Sequence, residues 1–120
     1  MDQKGINKLI EILQRDRRYS PEAYRFVNES LTKLLDSLPQ TRHVTGRELL
    51  ESFRIHAIDS YGNLARLVLE EWGIFTCEDV GEIVFNLTDA GLLSKQPTDT
   101  RADFLGGYSF VAAFDRREIE

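Results

Sequence analysis

The sequence lacks several features that would point to a particular class of protein. It contains one cysteine, Cys77, so no disulfide can form within the chain, which favours a reducing, cytoplasmic location. No apolar run approaches the roughly 18 residues that cross a membrane, and no secretory leader is recognisable, so we expect no membrane association. Phosphate-binding glycine loops, serine-hydrolase elbows and zinc-protease helices are also missing. We therefore expect no enzymatic activity and no cofactor.

What is present suits one domain that covers residues 1–120. Hydrophobic residues make up 42% of the chain and include seven Phe, four Tyr and one Trp, which can fill a core without disulfides or metal. The charge is uneven. Residues 1–60 carry ten Lys/Arg and nine Asp/Glu, a net of +1, whereas residues 61–120 carry five and eleven, a net of −6. The acidic half should repel nucleic acid, and the uneven charge favours a partner with a basic surface against residues 70–103.

Apolar residues at helical spacing, together with helix start and stop signals, predict five helices. The start signals are Ser20 before Pro21, a capping box at Thr45 with Glu48, and Thr76 with Asp79. The predicted helices cover about 3–14, 21–38, the stretch between Thr45 and Gly62, 64–72 up to Gly73, and the stretch between Thr76 and Gly91. The inward-facing residues Phe53, Trp72, Val84 and Leu87 are expected to form one buried cluster.

The C-terminal tail is less regular. Residues 96–100 are polar and contain Pro97, so they predict a loop, and Gly106 with Gly107 predicts a turn. Residues 108–114 fit either a strand paired with 92–95 or a short helix. The fold is expected to be mainly α, with an N-terminal helical pair in 1–44 and a second part in 45–114.

The second part resembles a winged-helix domain. The letters DAGLL at 89–93, a polar loop and then YSF at 108–110 are similar to a recognition helix followed by a wing, which implies a small β wing. A recognition helix contacts phosphates and base edges with Arg or Lys. Residues 76–91 contain four carboxylates and neither Lys nor Arg. Duplex DNA binding through 76–91 is therefore not expected, and this helix should face a protein or be packed.

Longer segments resemble a small, uncharacterised bacterial protein family of about this length. They read RDxRY at 15–19, HVTGxELL at 43–50, WGI at 72–74, DVGEIVFNL at 79–87, AGLLSK at 90–95 and FD at 114–115, where x is a position that does not contribute to the resemblance. The resemblance implies a bacterial cytoplasmic protein. It supplies no reaction, cofactor or catalytic residue.

The sequence predicts no metal site. The only imidazoles and the only thiol, His43, His56 and Cys77, lie 13 and 21 residues apart, without the paired spacing of structural zinc ligands. We interpret His43 as a loop residue, His56 as a neighbour of the third helix's apolar face, and Cys77 as a small packed side chain.

Three carboxylates at the start of the fifth helix are candidate protein-binding residues: Glu78, Asp79 and Glu82. Acid–base catalysis would require burial to separate their pKa values, which a sequence cannot show. Acidic residues in a first turn are also ordinary partners of the helix dipole.

Arginines near two helix starts are candidate RNA-binding residues: Arg15, Arg17, Arg18, Arg25, Arg42 and Arg47. Arginines close to aromatic residues such as Tyr19 and Tyr24 suit phosphate contact and base stacking. The alternative is a solvated turn with salt bridges, because Asp16 and Glu22 lie among them. The leading hypothesis is a non-enzymatic adaptor that binds a protein partner, and the alternative is an RNA- or ribosome-associated protein.

Overall fold

A computed structural model describes residues 3–93 and 101–114, and it is mainly helical. Within those ranges, two short 3₁₀ helices, Gly62–Leu64 and Arg101–Phe104, accompany six α-helices. The α-helices are α1 (Gln3–Arg15), α2 (Pro21–Ser37), α3 (Gly46–Tyr61), α4 (Ala65–Glu71), α5 (Cys77–Asp89) and α6 (Phe110–Phe114). The five predicted helices correspond to α1–α5. None of the helices in the described ranges has the length and apolar character needed to cross a bilayer.

Two capping boxes fix where α3 and α5 begin, as predicted. The Thr45 hydroxyl accepts a hydrogen bond from the Glu48 amide, and the Glu48 carboxylate accepts one from the Thr45 amide. Thr76 and Asp79 make the same reciprocal pair at α5. Each box satisfies amides that the first helical turn would leave unpaired. Ser20 was expected to cap the start of α2, but its side chain makes no capping hydrogen bond.

The core lies between α2, α3 and α5, which point their apolar sides at one another. Phe53 of α3 is fully buried, and the Phe26 ring meets it edge-on at 5.7 Å between ring centroids. Val84 and Leu87 of α5 are also buried, as predicted. Trp72 is only partly buried and lies at the edge of this core, with its ring 5.5 Å from that of Phe26.

The loop between α1 and α2 lies against the end of α4. The Ser20 amide donates a hydrogen bond of 3.1 Å to the Trp72 carbonyl. Gly73 has a φ of +94°, and a side-chain carbon placed there would lie 2.1 Å from the Arg18 carbonyl oxygen. Glycine is therefore required at the end of α4 for both conformation and space.

The predicted β wing is wrong, because no strand occurs in residues 3–93 or 101–114. Residues 110–114 form α6, in which Phe110 and Phe114 are both buried. Their separation of four residues matches the helical period, so both rings fall on one side of a helix and into the core. The predicted loop at 96–100 and part of the strand proposed for 92–95 lie outside the described residues.

Candidate protein-binding surface

Asp79, one of the three candidate carboxylates, has a structural role. One of its oxygens accepts hydrogen bonds from the backbone amides of Phe75 (2.9 Å) and Thr76 (3.1 Å). The other accepts a 2.6 Å hydrogen bond from the hydroxyl of buried Tyr19. Burial, reinforced by this carboxylate, raises the pKa of Tyr19. Asp79 thus joins the start of α5 to the α1–α2 loop.

Glu82 belongs to a second link between α5 and the same loop. The Arg18 guanidinium donates two hydrogen bonds to Asp16, at 2.9 and 2.7 Å, and one of 3.2 Å to Glu82. Asn86 also donates to Asp16 at 3.0 Å. The Arg18 hydrogen bond holds the pKa of the Asp16 carboxyl far below its usual range. Glu82 is therefore already paired with Arg18.

Glu78 differs from the other two carboxylates because its side chain is exposed. Its one hydrogen bond to a described residue is a long one, 3.4 Å from the Gly106 amide. Glu78 also borders two neighbouring grooves, one on each side of a ridge formed by residues 104–107. We call these the Phe75 groove and the Phe85 groove, and together with Glu78 they form the α5 face.

The Phe75 groove has a volume of about 450 Å³ and lies between α4, the start of α5 and residues 106–111. Phe75 and Val111 line it with exposed fractions of 55% and 48%. An ion pair between Arg66 and Glu70 (3.1 Å) occupies its α4 wall. Exposed apolar side chains in a concave surface are characteristic of a binding site.

The Phe85 groove has a volume of about 310 Å³ and lies between α5 and the ridge. The rings of Phe85 and Phe104 line it and meet edge-on at 6.0 Å between centroids. Gly81 makes room for Phe104, and Leu105 on the ridge is 55% exposed. This groove is therefore also apolar, with the Arg18–Glu82 pair at its rim.

Polar contacts from α3 and α5 hold the ridge and the segment that follows it. Arg47 donates a 2.9 Å hydrogen bond to the Leu105 carbonyl, and the Tyr108 hydroxyl donates one of 2.8 Å to the Leu50 carbonyl. The Cys77 thiol is buried 3.6 Å from the Tyr108 carbonyl, and burial raises its pKa. Cys77 is therefore a packed side chain, as expected. The predicted turn at Gly106 is also present, with a φ of +60°.

Sequence reasoning placed Glu78 on the surface but missed the apolar part of the α5 face. Phe75, Leu105 and Val111 fall outside the regular stripes that predicted the core, and this irregularity was the only signal available. Their position depends on how residues 104–111 cross α5, a long-range arrangement that helical periodicity does not describe.

Four of the six candidate RNA-binding arginines make hydrogen bonds within the protein. Besides Arg18 and Arg47, Arg25 pairs with Glu22 and Glu29 at 2.9 and 2.6 Å, and Arg42 pairs with Glu48 at 2.7 Å. The Arg42 hydrogen bond lowers the pKa of Glu48 to about 2. Arg15 and Arg17 are exposed, and neither makes a hydrogen bond or ion pair with another described residue.

The histidines lie apart from the α5 face. His43 is exposed in the loop before α3. His56 stacks on Phe26 at 4.1 Å and lines a groove of about 500 Å³ between α2 and α3. Two of that groove's carboxylates, Glu48 and Glu51, are paired with arginines. Among the residues that the structure describes, no three His, Cys, Asp or Glu side chains are grouped as metal ligands would be.

Comparison of the chain with protein-family models, with curated proteins and with solved structures gives no match. The family resemblance of segments between residues 15 and 115 therefore stays a prediction from the sequence, and the α5 face has to be interpreted from its own chemistry.

Proposed function

We propose that this chain is a non-enzymatic cytoplasmic adaptor domain that binds a protein partner through the α5 face. The observation that carries the proposal is the exposure of three apolar side chains, Phe75, Leu105 and Val111, around two adjoining grooves. Such side chains gain free energy when a partner removes them from water. Scattered single apolar residues need no explanation, whereas three around two adjoining grooves support the proposal of an interaction surface.

The charge of this part of the chain supports a partner with a basic surface. Residues 61–120 carry a net charge of −6, and Glu78 lies between the two grooves. A positive partner would be attracted over long range and held at the rim. The polyanionic backbone of a nucleic acid would be repelled from the same face.

Site-specific photo-crosslinking tests the proposal. A photoreactive amino acid at Leu105 should crosslink one protein partner in native lysate, and nuclease treatment should leave that crosslink intact. Ile55 is a matched control, because it is an exposed apolar residue on α3 that lines neither groove of the α5 face. Equal crosslinking from both positions, or loss of the Leu105 crosslink after nuclease treatment, would contradict the proposal.

Binding to RNA or ribosomes is the second candidate function. It is supported by Arg15 and Arg17, whose side chains are exposed and make no ion pair with a described residue. The supporting surface is smaller than the sequence suggested, because Arg18, Arg25 and Arg42 are paired with carboxylates.

A further inference from the structure

The two grooves of the α5 face have a common border at Glu78, and this arrangement specifies the chemistry of the segment that binds there. We infer that the partner presents two apolar side chains with a Lys or Arg between them. One apolar side chain enters the Phe75 groove, the other enters the Phe85 groove, and the cation contacts Glu78. The inference rests on the proposed function and specifies its partner.

The cation is assigned to Glu78 because other carboxylates of the face already have partners. Asp79 is bound by Tyr19 and by the backbone at the start of α5, and Glu82 is paired with Arg18. On the far wall, Glu70 is paired with Arg66. Glu78 is exposed and has one long hydrogen bond to a described residue, so a Lys or Arg can approach it without displacing an ion pair.

The apolar side chains are assigned to the grooves because each groove contains rings that solvent still reaches. Phe75 is 55% exposed in one groove, and Phe85 is partly exposed beside Phe104 in the other. Leu105 stands exposed on the ridge between them. A branched apolar side chain on each side of the ridge would cover these surfaces together.

The position of Glu78 sets the spacing in the partner. Glu78 lines both grooves, so the cation that meets it needs an apolar side chain close by on each side along the partner. In an extended chain, the residues two before and two after a given residue point to the same side as it does. An extended segment with the pattern Leu-x-Arg-x-Leu therefore presents all three side chains together.

The probe is a fluorescently labelled peptide of sequence Leu-Ala-Arg-Ala-Leu, with an amidated C-terminus, titrated with the full chain at low salt up to about 1 mM protein. A second peptide has Gln in place of Arg. We expect the Arg peptide to bind about threefold to fivefold more tightly in fluorescence anisotropy, the size of effect that an exposed charge pair gives. Replacing both leucines with alanine should abolish binding.

Two protein variants locate the cation. Glu78→Gln should make the two peptides bind equally. Glu71→Gln is the matched control, because Glu71 is an exposed glutamate of α4 that lines neither groove and its replacement changes the net charge equally. This variant should keep the preference for Arg. Circular dichroism spectra that match the parent would show that both variants are folded.

The results separate this inference from the proposed function. No binding of the Arg peptide, an equal affinity for the Gln peptide, or a preference for Arg that survives Glu78→Gln would each overturn the inference. The Leu105 crosslink would then still support a protein partner of different chemistry. If the peptides behave as expected and the Leu105 crosslink is absent, the assigned chemistry stands and the proposed adaptor function fails.

Discussion

Replacing Gly81 with alanine tests how the ridge of the α5 face is held on the helix. An alanine side chain at position 81 would lie 2.7 to 3.0 Å from three carbons of the Phe104 ring and stem. Phe104 is buried and its ring packs against Phe85, so it has little room to withdraw. Overpacking of this kind costs about 1–3 kcal/mol, whereas alanine in a helix interior gains about 1 kcal/mol over glycine. We expect Gly81→Ala to lower the free energy of unfolding by about 1 kcal/mol.

A double-mutant cycle with Phe104→Ala identifies the cause of that loss. Phe104→Ala alone should cost about 3–5 kcal/mol, because it removes a buried ring. With the ring gone, Gly81→Ala should become stabilising by about 1 kcal/mol, since only the helix propensity remains. Urea unfolding followed by far-UV circular dichroism measures each value. If Gly81→Ala stabilises the parent and the Phe104→Ala variant by the same amount, the two residues are not in contact and the ridge is placed wrongly.

Two further predictions concern the charged residues. Arg15→Gln with Arg17→Gln should leave filter retention of mixed RNA at low salt unchanged if the α5 face is the functional surface. A loss of retention, with a salt dependence flattened by about one unit for each lost phosphate contact, would favour the RNA alternative. The Arg42 contact lowers the pKa of Glu48 from 4.5 to about 2, so its stabilising effect is present above about pH 4.5 and is lost as pH falls toward 2. Between pH 4.5 and pH 2, the urea concentration at the unfolding midpoint should therefore fall less steeply with decreasing pH for Arg42→Gln than for the parent. Identical pH profiles would contradict this.

The positions of the helices could be predicted because their signals are local. Thr45 and Glu48 are three residues apart, and the hydrogen bonds between them form whenever those residues begin a helix. The same holds for Thr76 and Asp79. Gly73 was predicted to end the fourth helix. The structure gives two reasons for a glycine there, a φ of +94° and the Arg18 carbonyl, which leaves no room for a side chain.

The β wing could not be excluded from the sequence because it was predicted from a resemblance and not from a regular spacing of apolar residues. Tyr108, Phe110 and Phe114 are compatible with alternation along a strand over a few residues. In the structure residues 110–114 form a helix, and Phe110 and Phe114 lie about one turn apart and are both buried. The same spacing would also place both rings on one face of a strand, so their burial alone did not decide between the two. Local propensity is a weak guide for a five-residue element, whose conformation is decided by what it packs against.

The three carboxylates at the start of α5 show why the sequence alone could not distinguish among the candidate site residues. Glu78, Asp79 and Glu82 have the same charge and lie within five residues of one another, so no local rule ranks them. Their roles are set by residues about 60 positions earlier in the chain: Tyr19 binds Asp79, and Arg18 binds Glu82. These long-range contacts make two of the carboxylates part of the framework and leave Glu78 exposed between the grooves. The acidity of the first turn predicted where a basic partner would be attracted, and the fold determined which carboxylate can meet it.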